Sequence, residues 1–260
     1  MARFTQVFVK ANSPLHRLHP LTLATYVVCV SLLGIVGQPA LLLGLFVLSA
    51  ALARVGQVGR PFIMMMLRIL IPIAIPLFII QTLFNPIGRT VLYQLGPLAV
   101  KQEGLEFAIS IITRLLALVA AYFLLVLAVH PRDLVIALEQ RGMSPKLGYL
   151  ILSTLQLVPQ ILYTAETILD AQRSRGLSLK GSLLKRFRAY IPLMGPIVMG
   201  SLASLEIRAM ALEARGFNLP TGKTYLRTLT DTPKDHWLRT LTIGATVLLA
   251  ALSIALRLRL

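Results

Sequence analysis

Residues 105–129 read LEFAISIITRLLALVAAYFLLVLAV, and only Glu106 and Arg114 carry charge in that stretch. A helix needs about twenty predominantly apolar residues to cross the hydrocarbon core of a bilayer, and this run supplies them. Three further apolar runs precede it, roughly residues 21–37, 39–53 and 62–84, and one follows at residues 237–256. The first two are short for a crossing, so their ends must reach into the interface. Of the 260 residues, 56% are hydrophobic and 14% charged, and the mean hydropathy of +0.77 is far above that of a soluble domain. The sequence therefore specifies an all-α integral membrane protein with about five transmembrane helices.

Twenty-six Lys and Arg against ten Asp and Glu give a formal charge of +16. Such an excess can signal nucleic acid, anionic lipid, or the basic bias of cytoplasmic membrane loops. No basic stripe carries interleaved aromatics outside the apolar runs, which argues against a nucleic-acid partner and leaves the bilayer. Between the fourth and fifth runs, Arg132, Arg141, Lys146, Arg173, Arg175, Lys180, Lys185, Arg186, Arg188, Arg208, Arg215, Lys223, Arg227 and Lys234 mark a cytoplasmic insert. With the N-terminus inside, Arg3, Lys10, Arg17, Arg54 and Arg60 fall on the same side. Only Arg257 and Arg259 break the pattern, because a single final span places them outside, so either the bias fails there or part of the insert dips into the bilayer. The expected organisation is an N-terminal membrane domain of about four spans (1–129), a cytoplasmic coupling-helix module (130–236) and a C-terminal transmembrane helix (237–260), set in the cell membrane. The opening could pass for a signal peptide, but its polar lead is long and no small-residue cleavage site follows, so it reads as an uncleaved first span. The one cysteine, Cys29, lies in an apolar run and reads as a small core residue.

Within the insert, HPRDLVIALEQRG (130–142) has Pro131 at a helix start, Leu134, Val135 and Leu138 at helical spacing, and Gly142 as a stop. Residues 146–175 and 183–215 follow as two long segments with internal prolines at Pro159, Pro192 and Pro196. Their C-terminal ends are too polar to span and their bodies too apolar to be solvated, so they read as long amphipathic helices with one face on protein.

The two segments end alike. Offset by forty residues, Glu166 aligns with Glu206, Ala171 with Ala211, Arg175 with Arg215, Gly176 with Gly216 and Leu179 with Leu219, while Leu177 and Phe217 are both apolar. Each arginine stands one turn after an alanine, beside a shallow patch suited to a partner's groove. Capping is the simpler reading of the Arg-Gly pair, since glycine enters the left-handed conformation without strain and a cation favours a helix C-terminus. The pair also recurs at Arg141-Gly142. What sets the two long helices apart is their shared register.

Ser174-Arg175-Gly176 and Ala214-Arg215-Gly216, at the ends of two cytoplasmic helices preceded by several spans, resemble the T component of energy-coupling factor (ECF) transporters, the EcfT/CbiQ-like family. SPLHRLHPLT (13–22) is similar to that family's segment before its first span. Ser174 stands for the usual alanine, and His19 and Leu23 stand where an acidic and a basic residue are common. The resemblance covers nearly the whole chain and implies a scaffold rather than an enzyme. It implies that each helix end docks on one of two ABC-type ATPases, its arginine pairing with an acidic residue there. A small substrate-binding membrane subunit, the S component, would sit on the remaining apolar surface. ATP and Mg would be bound by the ATPases and no cofactor by this chain, and the imported micronutrient would be a vitamin or a metal ion such as cobalt or nickel.

Other chemistry is poorly represented. GFNLPTGKT (216–224) approaches a phosphate-binding loop but has five residues between its glycines where four are required, and it follows a helix end instead of a strand. His16, His19, His130 and His236 lack ligand spacing beyond one i, i+3 pair and read as interfacial polar residues, with no metal site. No nucleophile elbow, H-E-x-x-H motif or intramembrane carboxylate pair occurs. Arg114 is expected near mid-bilayer. It is either a contact to the substrate-binding subunit or a lipid head group, or a donor to backbone carbonyls among the spans, the latter favoured. Arg68 can snorkel, and Met64, Met65, Met66, Met194 and Met199 are either an adaptable surface or ordinary packing. A self-sufficient secondary transporter or channel is the alternative, and it would call for symmetry among the spans.

Overall fold

The computed structural model describes residues 13–84, 90–95, 98–176, 182–219 and 228–259, so the expectations on Arg3, Lys10, Leu177, Leu179, Lys180, residues 220–224 and Arg227 lie outside it. The described residues form helices α1 (Pro20–Val36), α2 (Pro39–Val55), α3 (Gly59–Phe84), α4 (Gln102–Ala128), α5 (Pro131–Glu139), α6 (Pro145–Ser174), α7 (Leu183–Ala214) and α8 (Pro233–Arg259). A short antiparallel ribbon, β1 (Val91–Leu95) with β2 (Leu98–Lys101), lies between α3 and α4 in an otherwise all-α membrane protein. The sequence reading did not anticipate that ribbon.

Proline opens α1, α2, α5, α6 and α8, where its missing N–H falls among the donors that a helix start leaves free and its fixed φ suits the first turn. Inside α3 the same residue disturbs the ladder. Pro72 has no N–H for the Arg68 carbonyl, and the helix widens into a π turn over Met66–Leu70 just before it.

The chain divides into two compact units, and its path leaves the first after Gly142 and re-enters at Leu229. The first is a bundle of α1–α5 and α8, in which α4 packs on α1, α2 and α3 while α8 runs along α1. On α4 the buried face is Ala117, Ala120, Ala121, Leu124 and Leu127, spaced three or four residues apart. Small side chains let backbones approach where no water-driven force pulls helices together. Gly34 of α1 serves the same end, since a Cβ there would lie 3.2 Å from Leu118 Cδ2. Leu42, Val30 and Phe62 fill the remaining core from α2, α1 and α3. The Tyr26 hydroxyl meets Ser49 Oγ at 2.7 Å across α1 and α2, a bond worth about 0.6 kcal/mol by the average for intramembrane pairs.

α1 and α2 have 17 residues each, about 25 Å of helix, short of the ~30 Å core. α3, α4 and α8 are long and apolar enough to cross. By length and composition so is α6, whose residues 147–165, between Lys146 and Glu166, hold no charge, so its polar end does not by itself exclude a span. The second unit consists of α6 and α7, which pack on each other. Tyr149 meets Phe217 with ring centroids 5.3 Å apart, and Arg208 donates to Gln160 Oε1 at 2.6 Å, so the two helices run antiparallel.

Candidate docking site at two helix ends

Both long helices finish in one geometry. Arg175 caps α6 at φ −87° and Arg215 caps α7 at φ −85°. Gly176 (φ 94°) and Gly216 (φ 70°) then turn left-handed, a conformation that costs a Cβ-bearing residue roughly 1–2 kcal/mol. At α7 the Gly216 N–H donates to the Glu213 carbonyl at 2.9 Å and the Phe217 N–H to the Leu212 carbonyl at 3.0 Å, the bond pair of a Schellman cap. At α6 the Gly176 N–H donates to the Arg173 carbonyl at 3.0 Å.

α5 ends the same way, with Gly142 at φ 102° and its N–H on the Glu139 carbonyl at 3.0 Å. All three Arg-Gly pairs are therefore helix stops, as the simpler sequence reading holds. The guanidinium groups separate them. Arg141 pairs with Asp231 at 2.9 Å, whereas Arg175 and Arg215 are exposed and pair with none of the described residues.

Along the same helices Glu166, Ala171, Glu206, Ala211 and Ala214 are exposed. Ser174 back-bonds to the Asp170 carbonyl at 3.1 Å, and Arg173 pairs with Asp170 at 3.1 Å. Each arginine thus stands exposed at the tip of a helix, beside an uncovered alanine one turn back. Such a tip can pair bidentately with a carboxylate.

The antiparallel crossing fixes how far apart the tips are. Phe217 brings the end of α7 to the first turns of α6 at Tyr149, and Arg175 lies about 26 residues further along α6, roughly 39 Å of helix. Two tips so separated reach two different surfaces. Between the helices an open groove of about 390 Å³ is lined mostly by apolar groups of Tyr149, Leu150, Leu157, Leu205, Ala209 and Leu212. Exposed Tyr163, Met194, Met199 and Ile207 continue the uncovered apolar surface of this unit.

In the bundle, Arg114 Nη2 lies 3.5 Å from the Ile35 carbonyl oxygen in the last turn of α1, and its Nε is buried without a partner. A cation at a helix C-terminus meets carbonyls that the helix leaves unbonded. His19 and His130 also serve helix ends: their Nδ1 atoms accept the N–H groups of Leu21 (3.4 Å) and Arg132 (3.1 Å) at the starts of α1 and α5. Met66 is buried in the core while Met64 is exposed.

The polar cluster at the start of α8 escaped sequence reasoning. Asp235, 3% exposed, accepts the Thr232 N–H at 3.3 Å and the His19 N–H at 3.1 Å, tying the start of α8 to the start of α1. Asp231 takes Arg141 on one oxygen and Arg239 on the other. Burial pushes the Asp231 carboxyl up, but the Arg239 and Arg141 hydrogen bonds outweigh it and hold the pKa down to about 2. Desolvation moves the His19 imidazole below its usual value. T-x-x-D with Pro233 at the first helical position was the available signal, a capping-box pattern.

Residues 11–226 match the family described as Cobalt transport protein, CbiQ. The "Energy-coupling factor transporter transmembrane protein EcfT" of Thermanaerovibrio acidaminovorans is 31% identical, over 85% of this chain and 86% of its own length. That of Heliobacterium modesticaldum is 31% identical over 93% and 94%, and that of Bacillus subtilis 29% identical over 96% of each. The family match and the relatives cover almost the full chain, and the chain belongs to the CbiQ/EcfT family, the transmembrane T components of energy-coupling factor transporters.

Proposed function

We propose that this chain is the scaffold of an ECF-type ABC importer, coupling ATP hydrolysis by two cytoplasmic ATPase subunits to uptake of a vitamin or transition-metal ion. The micronutrient passes through a separate substrate-binding membrane subunit, and ATP and Mg stay on the ATPases. The carrying observation is the pair of exposed arginines, Arg175 and Arg215, which pair with none of the described residues and stand at helix tips separated by roughly 39 Å of helix. That spacing suits one tip per ATPase, and the small residues Ser174, Ala214, Gly176 and Gly216 let each tip enter a groove. On this reading α6, although apolar enough to cross, lies with α7 along the cytoplasmic face of the cell membrane, because a crossing would put Arg175 and Arg215 on opposite sides of the bilayer. Movement of the ATPases during hydrolysis displaces α6 and α7 and reorients the substrate-binding subunit held on the apolar surface.

The test is tagged purification from native membranes in mild detergent with quantitative mass spectrometry. Two ATPase equivalents and one small hydrophobic subunit per copy support the reading. Retention of both ATPases by the Arg175→Glu/Arg215→Glu chain would overturn the docking role. ATP-independent uptake by liposomes holding only this chain would instead establish the self-sufficient transporter.

A further inference from the structure

The insert that carries both tips leaves the bundle after Gly142 and returns at Leu229. One ion pair bridges those two crossings. Arg141, the last residue but one before the exit, places Nη2 2.9 Å from Asp231 Oδ2, two residues after the return. Asp231 is not free to follow a moving Arg141. Its other oxygen is held by Arg239, whose side chain is 9% exposed and whose Nε donates to the Asp235 carbonyl at 3.2 Å. Asp235 in turn accepts the His19 N–H ahead of α1. Behind Asp231 stands a chain of bonds into the bundle; Arg141 is the one member on the outgoing strand.

We propose that the Arg141–Asp231 pair is a clasp across the neck of the α6–α7 insert, keeping its outgoing and returning strands together so that movement of the insert is delivered to α1 and α8 instead of opening the neck. The role rests on the scaffold reading above. An exposed ion pair adds little stability, about 0–1 kcal/mol, but a positional link needs only geometry. Two features suit Asp231 to it. Its carboxylate is ionised at every physiological pH, and Gly142 beyond Arg141 turns at φ 102°, so the outgoing strand departs from a bend that the pair ties to the return. His236 Nε2, 3.5 Å from Asp231 Oδ2 on the α8 side, and His19 ahead of α1 are its other titratable neighbours.

Arg141→Gln separates the clasp from its anchor, because Asp231–Arg239 remains. Nitroxide labels at Gln140→Cys and Thr230→Cys in a Cys29→Ala chain read the neck directly by pulsed electron resonance. The parent gives a narrow distance distribution, Arg141→Gln a broad one, and Arg141→Lys an intermediate one. In the reconstituted complex with its ATPases, Arg141→Gln keeps ATPase stoichiometry and hydrolysis but lowers transport per ATP about five- to tenfold, the low end of coupling between sites; Arg141→Lys restores part of it. An unchanged distribution overturns the clasp. A broadened neck with unchanged transport per ATP overturns its transmitting role. If the parent recruits no ATPase, the scaffold reading falls and the transmitting role with it, while the label distances still decide whether the pair closes the neck.

Discussion

Phe217 stacks against Tyr149, ring centroids 5.3 Å apart, and so binds the end of α7 to the beginning of α6. The two Arg-Gly tips therefore belong to opposite ends of the helix pair. With about 26 residues of α6 between Tyr149 and Arg175, no single small surface can receive both arginines. On the docking proposal the two ends are two separable events. Arg175→Glu and Arg215→Glu are each expected to weaken retention of one ATPase equivalent, with the double change losing both. Removing a charge from a desolvated pair costs about 2–5 kcal/mol, so native mass spectrometry of each single variant should show a half-loaded complex. Loss of both equivalents from one substitution would mean that the tips act as one site.

The two glycines behind those arginines differ in what surrounds them. Both have positive φ, but a Cβ on Gly216 would lie 2.7 Å from Leu219 Cδ1, while a Cβ on Gly176 meets nothing within 4 Å. Gly176→Ala is expected to cost only the backbone strain, roughly 1–2 kcal/mol. Gly216→Ala adds displacement of Leu219 and should fray the last turn of α7 more. Hydrogen exchange at the Arg175 N–H, on the Gln172 carbonyl, and at the Phe217 N–H, on the Leu212 carbonyl, reads each helix end in its own variant. Equal protection in the two variants would count against the Leu219 contact.

Much of this architecture was legible in the sequence because hydropathy and proline report directly on membrane helices. The runs at 62–84 and 105–129 became α3 and α4, and Pro131 and Gly142 bracket α5 as expected. The repeated helix ends were legible too, since Arg-Gly after a helical run is a local signal. Long-range polar contacts were not. Arg141 meets Asp231 ninety positions later, and nothing in either neighbourhood marks the other as its partner. The apolar length of α6 was underweighted for a different reason: apart from Lys146 its charges crowd into the last third, and a whole-segment impression averaged them over the uncharged residues 147–165.

Acid should act on the neck late. The Asp231 pKa is depressed from 3.8 to about 2; a depressed carboxylate contributes stability that is complete above the unfolded value and is lost as pH falls through the folded one. The difference in thermal unfolding temperature between the parent and Asp231→Asn is therefore expected to stay constant from pH 8 to about 5, to shrink below about 4 and to be nearly gone at about 2. A difference that already vanishes above pH 5 would exclude Asp231 as the titrating group.

Arg114 gives the last expectation, and its geometry separates the two roles open to it. It sits near the middle of α4, yet its Nη2 ends 3.5 Å from the Ile35 carbonyl, in the final turn of the short helix α1. The twelve residues of α4 before it continue for about 18 Å, so the cation lies at the level where α1 stops. As a cap it is worth about 0.3–1 kcal/mol, from the dipole and one unbonded carbonyl. Its Nε is buried without a partner, which offsets part of that gain. Arg114→Met should lower unfolding stability in detergent by under about 1 kcal/mol and leave the co-purified membrane subunit at parental stoichiometry. Arg114→Lys should recover the charge at the α1 terminus and most of the lost stability. Loss of the membrane subunit from Arg114→Met at unchanged stability would reverse the assignment, making the guanidinium a partner contact that only grazes the Ile35 carbonyl.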